Sequence, residues 1–306
     1  MSPALSPEPT PITLPHGAVR LHDWGVIRAL GADAAKFLHG QLTQDVEHLQ
    51  VGEVRLAGYC SVKGRLLASF VMWRRGADEV LLACSADLLP AALKRLSMFV
   101  LRAKCRLSDA SAELPLWGLA GSAATGPAAA GELLPLPPAG VDGASVARAL
   151  WVGGADATPG AAALDIDAWR WLEVHSGVAR IVAATSEQFV PQMVNLELVG
   201  GVNFQKGCYP GQEIVARSQY RGTLKRRAYV MESSGPMQAG QEVFLASDAG
   251  QPAGMVALAG HWAGRHAGLV ELKIAALAAG ALHLGSADGP VLTPGMLPYT
   301  FPAEAA

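Results

Sequence analysis

A chain of 306 residues exceeds one domain of ~100–200 residues, so two or three packed units are expected, and 51% hydrophobic against 16% charged residues excludes a disordered polymer. A formal net charge of -2 excludes a global pull toward nucleic acid or an anionic membrane, so any such contact must be local. Four cysteines, Cys60, Cys84, Cys105 and Cys208, lie far apart with no CxxC pair, which argues against a zinc ribbon or disulfide framework and for reduced thiols.

The N-terminus, MSPALSPEPTPITLPHG, has five prolines before His16 and neither region of a secretory signal, and reads as a disordered lead-in. No apolar run approaches the ~20 residues that cross a bilayer, so a soluble, cytoplasmic protein without membrane contact is expected. GVIRAL (25–30) reads as a strand, followed by GADAAKFLHGQL, a helix with Asp33 placed to cap it and Phe37 and Leu38 facing inward. EVRLAGYC and RLLASFVMW are strands joined by the SVKG hairpin, with Gly64 supplying the turn. EVLLAC is a further strand, DLLPAALKRLSMF an amphipathic helix with Pro90 in its first turn, and LRAKCRL a closing strand. The order β-α-β-β-β-α-β is close to a ferredoxin-like split βαβ unit.

A second unit opens with LPLWGLAGSAATG, whose Gly121 and Ser122 echo the strand-glycine-helix step at Gly31 and suggest a duplication. Residues 121–163 are rich in Ala, Gly and Pro and give no clear pattern, whereas IDAWRWLEVHSG regains helical spacing and ends at Gly177. From about Thr223 the texture changes to short strands, KRRAYVMES, QEVFLAS, PAGMVALAG, AGLVELKI and ALHLG, separated by Gly- and Pro-bearing turns, as in a small sandwich or barrel.

The segment FQKGCYPGQEIVARSQYRG (204–222) concentrates the chemistry. GQEIVARSQY begins a short helix, which leaves Cys208 just before the helix N-terminus, where free backbone N–H groups favour a thiolate. Lys206, Arg217 and Arg221 add positive potential. From Lys206 to Arg227 six bases (206, 217, 221, 225, 226, 227) face one acid, Glu213, which points to an anionic ligand or partner. On the residues alone a reactive Cys208 and a packed thiol in a Pro210-Gly211 turn weigh evenly. Glu213 is either an acid-base group or, as its position favours, a helix N-terminal carboxylate. Gln192 and Asn195 suit an amide-bearing heterocycle or local backbone equally. Trp24 and Trp169 read as core, His175 as structural, and His261 and His266 as hairpin residues without metal spacing. Nucleotide-loop, zinc-protease and nucleophile-elbow patterns are absent from the sequence, and no metal site is expected.

FVPQMVNLELVGGVNFQKGCYPGQEIVARSQYRGTLKRR closely resembles the YgfZ family of folate-binding proteins, whose hallmark K-G-C-Y-x-G-Q-E is present as Lys206 to Glu213. DWGVIRALGADAAKFLHGQLTQDV and YCSVKGRLLASF resemble the same family's N-terminal half. The family is related to the aminomethyltransferase (T-protein) of the glycine cleavage system. The resemblance implies an α+β fold of two pseudo-symmetric ferredoxin-like lobes around a central folate cavity plus a C-terminal β-barrel. The limits are then approximately 12–110, 111–222 and 223–306, with an N-terminal strand that crosses between lobes.

It also implies a tetrahydrofolate or one-carbon derivative as ligand, and moves Trp24 and Trp169 from core to pocket. Gln192, Asn195, Arg217 and Arg221 join them as ligand-binding candidates, with Cys208, Lys206 and Glu213 as the reactive set. Aminomethyltransferases carry an adjacent Asp pair after the hairpin; Ala68 and Ser69 stand there here, and neither assists proton transfer as a carboxylate does. The implied role is support of iron-sulfur cluster assembly or repair, with tRNA modification as an indirect output and client or assembly proteins as partners. Two alternatives stay open: a tetrahydrofolate-dependent one-carbon transferase with Cys208 as nucleophile, and a module that binds tRNA directly through Lys225, Arg226 and Arg227.

Overall fold

The structure, a computed structural model, describes residues 14–126, 130–220 and 224–302, and its strands form two sheets and a closed barrel. Of the expected disordered lead-in, 1–17, residues 1–13 lie outside the described residues, while Gly17 already opens the first strand. The chain runs β1 (Gly17–Arg20), β2 (Trp24–Leu30), α1 (Ala34–His39), β3 (Val54–Cys60), β4 (Leu66–Gly76), β5 (Glu79–Ser85), α2 (Leu89–Met98) and β6 (Arg106–Asp109). From β2 onward this is the order expected from the sequence. The first sheet is all antiparallel, in the order β3-β4-β5-β2-β6. Phe70, Val71, Met72 and Trp73 of β4 are buried in succession, which requires both faces of the sheet to be covered. One local expectation fails: Asp33 sits at the α1 N-cap but makes no side-chain cap bond. Its carboxylate instead accepts from Lys104 N at 2.7 Å, tying the loop before β6 to the helix start.

The second sheet is built from β7 (Leu116–Ala120), β8 (Glu132–Val141) and β9 (Ala144–Val152), and it recruits the first strand of the chain, giving the order β1-β7-β9-β8. Gly17 to Arg20 pair antiparallel with Ala120 to Trp117, so residues 17–20 belong to the second lobe, across the linear limit drawn at 110. Ser122 begins only a 3-10 turn, Gly121–Ala124, in place of a full helix. The stretch that gave no pattern holds a hairpin: β8 and β9 meet at Asp142 and Gly143, with φ of 48° and 83°, the left-handed pair of a type I′ turn. Pro135, Pro137 and Pro138 mask β8 in the sequence, yet β8 is the edge strand and carries a register shift between Leu136 and Ala139, where prolines are tolerated.

α3 (Ile166–His175) follows, capped by Asp165, which accepts from Asp167 N at 2.9 Å. α4 (Gln212–Tyr220) leads into the barrel of β10 (Arg226–Ser233), β11 (Glu242–Leu245), β12 (Asp248–Trp262), β13 (Arg265–Lys273), α5 (Ala276–Ala279), β14 (Leu282–Leu284) and β15 (Val291–Pro294). The barrel closes in the order β10-β13-β12-β11-β14-β15. One apolar cluster runs from Ile27 and Leu82 through Trp171 and Ile181 to Val230 and Leu258, joining both lobes to the barrel wall, while Met231, Val243, Val270 and Leu282 fill the barrel itself.

Candidate functional site

Two places concentrate polar groups. The first is the cleft between the sheets, walled by Trp24, Ser69, Val71, Pro137, Arg148, Glu173 and Arg180. Arg180 is the hub: Nε donates to Glu173 Oε1 at 2.8 Å, and Nη2 to Glu173 Oε2 and Asp23 Oδ2, each at 3.1 Å. Nη1 reaches Ser85 Oγ at 3.1 Å. Burial opposes the guanidinium charge, but Glu173 and Asp23 outweigh it and hold Arg180 protonated beyond its ordinary range. Its guanidinium lies 5.0 Å from the Trp24 ring centre. Arg148, also buried, donates from Nε to Pro137 O at 3.1 Å and lies 5.4 Å from the Trp169 ring centre. Burial lowers Arg148 to about 10, with Glu173 acting in the opposite sense. With Glu173 matched to Arg180, one positive charge is left on the cleft wall, at Arg148.

Trp24 faces this cleft, and its indole N–H is buried without a partner. Trp169 is fully buried one layer deeper, against Gly118, and its indole N–H also lacks a partner. Ala68 is fully buried, and the Ser69 hydroxyl accepts from Ile181 N at 2.9 Å. The cleft wall therefore offers the Trp24 face, a carboxylate and two cations, with the Trp169 ring behind Arg148. Its enclosed space is only about 30 Å³, room for water and not for a fused ring. The residues suit a planar, amide-rich heterocycle with an anionic tail in chemistry; in volume they admit one only when the guanidiniums lying on the indole faces withdraw.

The second place is the loop 203–211. Asn203 N donates to Thr43 O at 2.9 Å, and its side-chain oxygen accepts from Gln205 N at 2.8 Å and Lys206 N at 3.1 Å. Lys206 Nζ then reaches the carbonyls at the end of α1, donating to His39 O and, at 2.8 Å, to Leu42 O. It also lies 4.8 Å from the Tyr209 ring centre. Burial lowers this ammonium to about 8, against the opposing charges of Asp45, Cys208 and Glu47. Gly211, at φ 80°, seats the far end of the loop on the β3–β4 turn: a β-carbon there would stand 2.3 Å from Ser61 O and 2.7 Å from Gly64 Cα. Held at both ends, the loop leaves Cys208 exposed. The other thiols differ in kind, for burial pushes Cys60 and Cys84 up to about 12 and half-buried Cys105 to about 11.

Beside this loop stands a pair that the sequence reading missed. His39 Nδ1 and Asp45 Oδ1 are 3.0 Å apart, so the ring nitrogen that faces the carboxylate carries the proton and Nε2 is left as an acceptor. Nε2 lies 3.6 Å from where a β-carbon on Gly207 would be, one residue from the thiol. Asp45 is further fixed by His48, whose ring Nδ1 lies 2.8 Å from Oδ2 and whose backbone N donates to Oδ1 at 3.1 Å. Burial works against the Asp45 charge, but these bonds and the nearby histidines keep its carboxyl below the ordinary range. A His and an Asp six apart form no motif; only the return of the 203–211 loop onto α1 brings Gly207, the neighbour of Cys208, beside them.

The remaining predicted residues go elsewhere. Gln192 and Asn195 are fully buried: Gln192 Nε2 donates to Val215 O at 2.9 Å, and Asn195 Nδ2 to Ala228 O at 2.8 Å. They fasten α4 and β10, and it is backbone that takes them, though at positions 23 and 33 residues away rather than local ones. Glu213 and Arg217 are exposed on α4, and Arg221 lies outside the described residues. The run of six bases does not make a six-cation face. Arg226 pairs with Glu271, Arg227 is buried against Glu197, and Lys206 is taken by carbonyls, which leaves Arg217 and Lys225 exposed among those described. His175 is structural, its Nδ1 donating to Trp171 O at 3.0 Å and its ring stacked on Trp171. His261 and His266 face each other across the β12–β13 hairpin, and among the described residues no three His, Cys, Asp or Glu side chains gather to hold a metal. No described helix is long and apolar enough to cross a membrane.

No protein-family model matches the chain. The tRNA-modifying protein YgfZ of Edwardsiella ictaluri is 34% identical over 260 residues, spanning 76% of this chain and 74% of its own. That of Serratia proteamaculans is 32% identical over 243 residues, spanning 72% of each. Among solved structures, the glycine cleavage system aminomethyltransferase T from Bartonella henselae superposes with a TM-score of 0.60 over 92% of this chain and 85% of that one. At 15% identity, that likeness shows a shared fold and no more.

Proposed function

The chain belongs to the YgfZ family, and from that premise we propose that it binds a tetrahydrofolate in the central cleft and supports iron-sulfur cluster assembly or repair, with Cys208 as its reactive thiol and tRNA modification as an indirect output. The observation that carries this reading is the contrast among the four cysteines. Cys60 and Cys84 are buried and Cys105 is half-buried, all three held as thiols, while Cys208 alone is exposed, on a loop fastened at Lys206 and Gly211 and adjoining the His39–Asp45 pair. In this reading His39 Nε2 would accept the proton of Cys208 Sγ–H and Asp45 would stabilise the imidazolium that results. A lone cysteine does not complete a cluster site, so a cluster in contact with Cys208 is cargo whose other ligands come from a partner.

In the cleft, Trp24 would stack a pteridine, Glu173 would accept from its ring N–H groups, and Arg148 would meet the carboxylates of its tail. A bound folate would supply a one-carbon or redox-active ring. One-carbon transfer is the weaker reading, because Ala68 and Ser69 supply no carboxylate and Glu173 is committed to Arg180. Direct tRNA binding through 225–227 is weaker again, since Arg226 and Arg227 are already paired.

Tetrahydrofolate titration followed by tryptophan fluorescence tests the cleft, and iron-sulfur enzyme activity in cells tests the thiol. Saturable quenching that is reduced in Trp24→Phe, together with lost enzyme activity in Cys208→Ala, is expected. Absence of quenching removes the folate half, and a fully active Cys208→Ala removes the other.

A further inference from the structure

α2 and the neighbouring parts of β3 and β4 enclose a groove of about 290 Å³ that neither site described above uses. It is near the lower end of ligand-pocket sizes, ~300–1,000 Å³. Its walls are apolar, from Leu67, Leu88, Ala92 and Met98, and its polar groups are Tyr59, Lys94 and Arg95. Ser186, also on the wall, is spent on Leu67 O at 2.9 Å.

Tyr59 is the informative residue. It is 1% exposed, and its hydroxyl donates to no acceptor. Burial raises its pKa above the ordinary phenol range even though the charge of Arg95 and a hydrogen bond from it act to lower it, so the hydroxyl stays neutral, with Arg95 beside its oxygen and no acceptor for its proton. A buried donor left unpaired costs about 1–3 kcal/mol, and such groups are rare unless a ligand supplies the acceptor. Lys94 and Arg95 are exposed and enter none of the ion pairs among the described residues. Met98, on the rim, is 67% exposed, so the apolar wall continues to the surface.

We propose that this groove binds a small amphiphilic carboxylate, its apolar body against Leu67, Leu88, Ala92 and Met98, one carboxylate oxygen accepting from the Tyr59 hydroxyl and Arg95 neutralising the charge. The groove is independent of the folate and Cys208 assignments and stands or falls without them.

The test is calorimetric titration of the full chain with decanoate, decanol and decyl phosphate. Decanoate is expected to bind one to one, and decanol about tenfold more weakly, the factor that one charge-assisted hydrogen bond provides. Tyr59→Phe and Arg95→Gln should each weaken decanoate by a similar factor and leave decanol unchanged. Ala91→Trp, on the exposed side of α2, should block both by filling the groove. Because the hydroxyl proton has no acceptor to lose and Arg95 is exposed, Tyr59→Phe strands no buried group and should unfold close to the parent temperature. Equal binding of decanol and decanoate, unchanged binding in Ala91→Trp, or decyl phosphate binding tenfold tighter than decanoate would each overturn the assignment.

Discussion

Arg180→Met isolates what the central cleft is built on. The side chain is 8% exposed and its removal strands Glu173, 5% exposed, whose two oxygens have Arg180 as their partner at 2.8 and 3.1 Å. Asp23, more open, keeps water and Arg170, so the deficit falls on Glu173. Leaving one member of a buried pair uncompensated costs about 3–5 kcal/mol, whereas replacing both by isosteric neutral groups is close to neutral. At about 2–3 °C per kcal/mol for a chain of this size, the single variant should lose ~6–15 °C in Tm. The double variant Glu173→Gln/Arg180→Met should recover more than half of that. A pH arm fixes the cause. The stranded carboxylate is relieved by taking up a proton in the folded state, so the native form binds more protons than the unfolded one and the deficit shrinks as pH falls toward 5. Differential scanning fluorimetry of parent, single and double variants at pH 5 and pH 7.5 reads all of this. A single variant within 2 °C of the parent, or a double variant no better than the single, would refute the reasoning.

Two further outcomes concern the loop. Gly211→Ala places a β-carbon 2.3 Å from Ser61 O at φ 80°, so it should cost about 2 kcal/mol or more and open the 204–211 segment to limited proteolysis, which peptide mapping would reveal. Iodoacetamide at neutral pH should label Cys208 first, because the buried thiols are pushed up to about 12 at Cys60 and Cys84 and about 11 at Cys105. His39→Gln and Asp45→Asn should slow that labelling severalfold without changing which residue is labelled, as peptide mass spectrometry would show; an unchanged rate in both would remove the proton acceptor.

The first sheet was legible because its strands alternate with two patterned helices and its turns carry Gly64 and Pro90, local signals that agree with the tertiary outcome. The C-terminal β-unit was legible from strand spacing, which left sandwich or barrel open until the resemblance pointed to a barrel. The β8–β9 hairpin was not read, although Asp142-Gly143 is a strong turn signal, because three prolines spoke against a strand and only the edge position of β8 makes them harmless. The site divided along the same line. Cys208 is exposed ahead of α4 and Trp24 lines the cleft, but Gln192, Asn195, Arg226 and Arg227 are consumed by partners 23 to 45 residues away that no local pattern announces. His39 and Asp45 were invisible for the converse reason: their sequence neighbourhood says nothing, and their role depends on a contact with Gly207, far along the chain.

That contact changes which residue is responsible for the thiol. A lysine two residues from a cysteine suggests a permanent positive charge that favours the thiolate, and from sequence alone Lys206 fills that part. Burial lowers its ammonium to about 8, so at mildly alkaline pH the charge is partial, while the neutral amine keeps two N–H donors for the carbonyls of His39 and Leu42. Lys206 can therefore staple the loop in either state but cannot serve as a constant electrostatic anchor. His39, oriented by Asp45 and lying beside Gly207, has the Nε2 that the proposed proton transfer needs. The lysine of the Lys206-Gly207-Cys208 triplet then acts by position, pinning the loop to the end of α1 beside the histidine that α1 delivers.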